Sequence, residues 1–394
     1  MIAAAWQHVS DGVLHAAPDG TVTFVNPAAL RILRAEGGLV GQRLSAIFDQ
    51  LNTFILEAVD AAQDEQRLSA VELYIQATDE WVPVNLTVLP CAEGTVLVLE
   101  DLQREQELRR AMARYVSDGV IDGLLGGAAS NGAIQPATIL FSDIRGFSRL
   151  SETIGPTETV TMLNEYFSYM EDVVANRAGT IDKYIGDAVM AVFGMPRPGE
   201  LDAENAVQAA ADMLQVLAML NASRARAQQP VLRIGIGLAT GPVLVGNIGS
   251  PKRMDFTAIG EPVNLAARLE SATKLYGADI LFCGRTAAAL PPGRVVRVVD
   301  LVRMAGQDQP TEVHELLDHR TAEWGAGFAA AQAAYAEGLA GMKAGAWAAA
   351  LPHFEAALHA NPRDRAAALL AQRCRDSRHS PPDRWDGAFT LTEK

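Results

Sequence analysis

Cysteine is scarce. The 394-residue chain has three, Cys91, Cys283 and Cys374, with no C-x-x-C spacing. That odd, scattered set excludes a disulfide framework and a cysteine-rich zinc site, and it fits a reducing cytosol. The seven histidines are never paired at H-x-x-H spacing, so a histidine zinc centre also lacks its ligands. No G-x-x-x-x-G-K-[ST] loop and no G-x-S-x-G turn occurs, which excludes a P-loop phosphate cradle and a serine-hydrolase elbow. Positive charge is short, with 33 Lys and Arg against 47 Asp and Glu, a net charge of −14. Such a field repels polyphosphate backbones, and no basic patch offsets it, so the expectation is no nucleic-acid partner. The first eleven residues contain no basic stretch followed by an apolar one, which argues against a secretory signal. The longest uncharged run, Ile234 to Pro251, carries Gly235, Gly237, Gly241, Gly246 and Gly249 with Pro242. It reads as a β-hairpin around Gly241, not as a membrane helix. The expectation is a cytoplasmic chain without a membrane segment.

What is present is ordinary for a globular protein: 49% hydrophobic, 20% charged, 33 Gly and 19 Pro. The length predicts roughly two to four domains. In residues 1–100, Asp19-Gly20 turns into the strand Thr21 to Val25, and Asn26-Pro27 opens a short helix from Ala28 to Arg34. Val82 to Leu89 and Thr95 to Leu99 are strand-like around Glu93-Gly94. This order of motifs, from Asp11 through Pro27 to Leu44 and closing at Val96 to Asp101, resembles a PAS sensor domain. Residues 101–132 read as a transducer linker. Leu108, Met112 and Tyr115 lie on one helical face, a spacing that suits a short dimer seam or an ordinary amphipathic linker. Gly119 to Gly132 then breaks the helix. Residues 133–319 alternate strands and helices as a largely antiparallel α+β domain does. They include helices from Pro156 to Val174, Ala203 to Leu220, and Pro262 to a stop at Gly277. Residues 320–394 are alanine-rich and helical. Gly345, Trp347, Leu351, Phe354, Ala357 and Pro362 resemble a tetratricopeptide pattern, with one repeat present. A single repeat cannot bury its own face, so the other reading is a helical hairpin docked on the preceding domain.

Three stretches carry the chemistry. In Phe141-Ser142-Asp143-Ile144-Arg145-Gly146-Phe147-Ser148, an aspartate ends an apolar strand before a glycine turn. In Asp182-Lys183-Tyr184-Ile185-Gly186-Asp187, a second aspartate sits at a hairpin tip. Two carboxylates at strand ends can share a pair of Mg²⁺ ions, which prefer oxygen ligands and leave positions open for phosphate. The third stretch, Arg253 to Glu270, contains Asn264 and Arg268 four residues apart on the helix begun by Pro262, so both can reach one ligand.

These three stretches, in this order, resemble the catalytic domain of class III nucleotide cyclases. The resemblance implies a ferredoxin-like α+β domain acting as a homodimer, with composite sites at the subunit interface. ATP or GTP would be cyclised to the 3′,5′-monophosphate with release of pyrophosphate. It also implies that Asp143, Asp187 and the carbonyl of Ile144 hold two Mg²⁺ or Mn²⁺ ions. Asn264 would come from the partner chain to orient the ribose, and Arg268 with it to bear on the phosphate. Phe147 joins the substrate-binding residues.

Adenine offers an acceptor at N1 and a donor at its amine, whereas guanine offers donors at N1 and N2 and calls for a carboxylate. Lys183 supplies the donor that adenine needs, and the Thr257 hydroxyl can complete the pair. The pair resembles the adenylate-type subgroup with Thr at this position, whose members are often stimulated by bicarbonate. The resemblance therefore implies an adenylate cyclase. The alternatives are a guanylate cyclase and a catalytically weak nucleotide-binding sensor or scaffold. One departure stands out: Ala305 occupies the place where a phosphate-binding lysine is usual. Arg303 lies two residues away on the same strand face and could substitute, with Lys252 and Arg253 next. The ligand of the PAS-like domain, small molecule or protein, and the partner of the C-terminal helices are not encoded in any motif.

Overall fold

The computed structural model describes residues 9–35, 37–48, 50–75, 78–103, 132–250, 253–304, 309–382 and 384–391. Leu108, Met112, Tyr115, Lys252 and Ala305 lie outside them. The chain divides into two compact units, 1–116 and 117–394.

The first unit is built on strands β1 (Gly12–Ala16), β2 (Val22–Val25), β3 (Gln66–Ile75), β4 (Glu80–Cys91) and β5 (Gly94–Asp101). They form an antiparallel sheet in the order β2-β1-β5-β4-β3. The helix opened by Asn26-Pro27 is α1 (Pro27–Ile32), and α2 spans Thr53–Ala61. Asn26 makes the start of α1 explicit: its buried side-chain oxygen accepts the N–H of Ala29 at 2.8 Å and that of Val13 at 2.9 Å. One residue thus caps the helix and ties it to β1. Leu14, Ile55, Leu73, Leu86 and Leu97 fill the core between sheet and helices.

Among the described residues the second unit carries nine strands: β6 (Ala133–Ile144), β7 (Gly179–Ile185), β8 (Ala188–Phe193), β9 (Ile234–Ser250), β10 (Arg253–Ile259), β11 (Ile280–Cys283), β12 (Val296–Arg303), β13 (Thr311–Leu316) and β14 (Phe389–Thr390). The sheet runs β14-β12-β13-β11-β9-β6-β8-β7, with β10 paired to β9. Among the described strands only β9–β11 and β12–β14 are parallel. Within it β9-β6-β8-β7 are the fourth, first, third and second strands of a ferredoxin-like motif. The fold is therefore α+β with a mostly antiparallel sheet, as expected.

Alternation along β6 sends successive side chains to opposite faces. Leu140 packs with Tyr166, Met170 and Ala210 of helices Pro156–Asn176 (α4) and Asp202–Arg226 (α5). Its neighbour Ile139 faces the other side, with Ala266 and Leu269 of helix Glu261–Tyr276 (α6). Gly277, at φ 66°, ends α6 as predicted.

The hairpin expected around Gly241 does not form. Strand β9 runs unbroken for 17 residues and pairs with β6 straight through Gly241; its antiparallel pairing with β10 starts only at Ser250↔Arg253. Glycine serves here to admit a helix. A Cβ on Gly237 would lie 2.1 Å from the Glu270 nitrogen and 2.2 Å from the Ala266 oxygen, and one on Gly235 would lie 2.3 Å from Thr273 Oγ1. Alternate glycines on one face of β9 let α6 rest on the strand backbone.

The C-terminal segment forms helices α7 (Phe328–Lys343), α8 (Trp347–Ala360) and α9 (Arg365–His379). The first two make the expected hairpin and a third extends it. Tyr335, Phe354 and Leu370 belong to the same core as Ala266 and Leu269 of α6. Tyr276, the last residue of α6, donates its hydroxyl to Asp300 at 2.7 Å, and Arg373 of α9 meets the same carboxylate at 2.5 Å. Among the described residues, no helix is long and apolar enough to cross a membrane.

Candidate active site

Strand pairing places the two aspartates. β8 pairs with β6 up to Ser142↔Val189, so the β7–β8 turn, where Gly186 takes φ 66°, sits beside the end of β6. Asp187 there accepts the backbone N–H of Ile144 at 3.2 Å. Its carboxyl is pushed up to about 7, first by burial and then by hydrogen bonding and charge repulsion from Asp143. The ammonium of Lys274, on α6, lies 3.3 Å from Asp143 Oδ2.

This donor set suits a hard divalent cation. Two carboxylates pressed together repel unless a proton or a cation lies between them. The Ile144 carbonyl, the further ligand that the resemblance implies, belongs to the residue whose N–H Asp187 accepts. Among the described residues no group of three or more His, Cys, Asp or Glu side chains is placed to hold a metal, so further oxygens would have to come from the backbone and a bound phosphate.

Lys183 and Thr257 are brought together by a residue to which sequence reasoning gave no role. Asp182 of β7 accepts the Thr257 hydroxyl at 2.8 Å and lies 3.4 Å from Lys183 Nζ with the same oxygen, Oδ2. In a regular strand, neighbours 182 and 183 would face opposite sides. The β7–β8 register slips between Ile181 and Lys183, and this bulge re-aims the chain at Asp182. Burial raises the Asp182 carboxyl above its usual range, against the lowering effects of Thr257 and Lys183. The readable signal was two adjacent charges interrupting a strand's alternation.

The remaining predicted residues are spread over several elements. Asn264 is exposed and Arg268 half-buried, one turn apart on α6. Phe147 opens helix α3 (Phe147–Ile154) and packs half-buried against the core shared with α4. Arg253 begins β10. Arg303 ends β12 and is ion-paired with Asp386, three residues before β14.

An aspartate pair at the end of β6 and in the β7–β8 turn, with an Asn/Arg helix on a ferredoxin-like sheet, is the arrangement that the resemblance to class III nucleotide cyclase catalytic domains implies. The comparison with known families agrees, since residues 130–315 match the adenylate and guanylate cyclase catalytic domain family. The chain is 37% identical over 203 residues to an adenylate cyclase of Anabaena cylindrica, a match covering 50% of this chain and 39% of that protein. The chain thus spans well under half the length of that relative. It is also similar to the crystal structure of the adenylyl cyclase CyaB from P. aeruginosa, at 35% identity and a TM-score of 0.45, covering 49% of this chain and 98% of that one. The crystal structure of the guanylyl cyclase Cya2 aligns at 36% identity and a TM-score of 0.44, covering 48% and 94%.

Proposed function

We propose that the protein is an adenylate cyclase, converting ATP to 3′,5′-cyclic AMP and pyrophosphate at a homodimer interface. The observation that carries this reading is the meeting of the Asp187 turn with the end of β6, where the Asp187 carboxylate accepts the Ile144 N–H at 3.2 Å and is pushed up to about 7, first by burial and then by Asp143. Two Mg²⁺ or Mn²⁺ ions held by Asp143, Asp187 and the Ile144 carbonyl would supply charge neutralisation at the phosphates and a lowered pKa for the attacking 3′-hydroxyl. Asn264 orients the ribose and Arg268 stabilises negative charge as the α-phosphorus is attacked. Lys183 and Thr257 contact the adenine. Arg253 and Arg303 are the candidates for the distal phosphates.

The composite site is supported by distances along α6. Lys274 contacts Asp143, whereas Asn264 lies ten residues earlier on the same helix, about 15 Å along its axis. Metal ligands from one chain and Asn264 with Arg268 from a second copy therefore make a natural site. The antiparallel five-stranded sheet of the first unit supports the PAS reading, with a sensor that sets the relative rotation of two catalytic domains. Bicarbonate as a stimulator and the cytoplasm as location belong to the same proposal.

A weaker-turnover reading, as a nucleotide-binding sensor, is favoured by one observation. Arg303, the substitute for the missing phosphate lysine, is held by Asp386. Incubation of the purified protein with Mn²⁺ and ATP, following pyrophosphate and cyclic AMP together, decides between the two. Tight ATP binding without either product would leave the sensor reading standing alone.

A further inference from the structure

Asp182 has no exposed side-chain surface. Its Oδ2 accepts the Thr257 hydroxyl at 2.8 Å, and its Oδ1 is buried without a hydrogen-bond partner among the described residues. A hydroxyl is ambivalent, since it can donate its single proton or accept through its lone pairs. Committing that proton to Asp182 removes the ambivalence, so the Thr257 oxygen can offer only lone pairs to a ligand. The Lys183 ammonium, 3.4 Å from Asp182 Oδ2, is a donor only. The pair therefore presents one fixed acceptor beside one fixed donor.

We propose that Asp182 is a specificity-determining positioning residue, which fixes Thr257 as an acceptor and thereby selects the adenine amine over the guanine carbonyl. The inference rests on the adenylate cyclase reading above. With the hydroxyl so held, the exocyclic amine of adenine meets lone pairs and N1 meets the ammonium. A guanine in the same pose sets its O6 carbonyl against the Thr257 lone pairs and its N1–H against a donor, two mismatches at once. Without Asp182 the hydroxyl turns freely and one of those mismatches disappears.

The test is the ratio of kcat/KM for ATP to that for GTP in the full chain, for wild type, Asp182→Ala, Thr257→Val and the double variant. Asp182→Ala is expected to lower the ratio about tenfold, and to change nothing further once Thr257→Val has removed the hydroxyl. An unchanged ratio in Asp182→Ala, or an equal additional drop in the Thr257→Val background, overturns the proposal. A residue that merely supports the strand would depress both substrates alike and leave the ratio alone. Should Asp182→Ala fail to fold, Asp182→Leu keeps the side-chain volume while offering Thr257 no acceptor. The ratio must fall there too, and its persistence refutes the role. If wild type turns over neither nucleotide, the cyclase reading fails. The Asp182 proposal is then judged by competition of ATP against GTP for binding, where the same variants must lose the same preference.

Discussion

Gly237 of β9 lies against Ala266 of α6 so closely that a Cβ at position 237 would stand 2.2 Å from the Ala266 carbonyl oxygen. The neighbouring contact is backbone as well, the Glu270 nitrogen at 2.1 Å, so no rotamer change can make room. Gly237→Ala must push the helix off the strand. We expect a stability loss of about 3 kcal/mol or more, at the upper end of overpacking effects, seen as an earlier denaturant midpoint. Gly38→Ala serves as a control for sterics, because a Cβ at 38 meets nothing within 4 Å and the backbone there is not left-handed.

Asp143 and Asp187 oppose each other in the metal-free protein, so their proximity costs stability until a cation arrives. Asp187→Asn is expected to melt at the same temperature as wild type or higher in EDTA. It should also lose the upward shift that Mn²⁺ gives wild type by binding the folded state. A variant that keeps the full Mn²⁺ shift would remove Asp187 from the metal site.

Arg268→Ala is predicted to lose about 10³-fold in turnover, roughly 4 kcal/mol of transition-state stabilisation, with a smaller change in ATP affinity. Asp143→Asn should be equally inactive. Mixing the two defective proteins is expected to restore about a quarter of wild-type activity, since half the exchanged dimers are mixed and each has one intact site. No recovery after demonstrated subunit exchange would place each complete site within one chain.

The Arg297 guanidinium binds Asp364 through two hydrogen bonds, 2.6 and 3.1 Å, and both side chains are buried. Asp364 also caps α9 by accepting the N–H of Ala367 at 3.2 Å. Asp364→Ala leaves the arginine's charge short of a buried partner and the helix without its cap, so a loss of about 3–5 kcal/mol is expected. Chemical denaturation measures it. A loss below about 1 kcal/mol would mean that solvent reaches Arg297 in the native state.

Legibility in the sequence followed the range of the interaction. Asp143, Asp187, Asn264 and Arg268 stood out because turn glycines and helical spacing mark them locally. The limits of α6 were readable from Pro262 and Gly277 for the same reason. Gly241 misled because a glycine that ends a strand and one that admits a helix look alike in one dimension; only the position of Pro262, 2.8 Å from where its Cβ would be, separates them. Asp182 was invisible as a functional residue because its aim depends on a one-residue register slip and on Thr257, 75 positions away. The embedding of α7 to α9 was hidden too, as alanine-rich helices carry no sign of the surface they will cover.

That embedding has a practical consequence for anyone dissecting control of this protein. Because Tyr335, Phe354 and Leu370 share an interior with Ala266 and Leu269, damage anywhere along 328–379 is transmitted to the helix that bears Asn264 and Arg268. A substitution there that lowers product formation would imitate the loss of a regulatory input while reporting only a loosened scaffold.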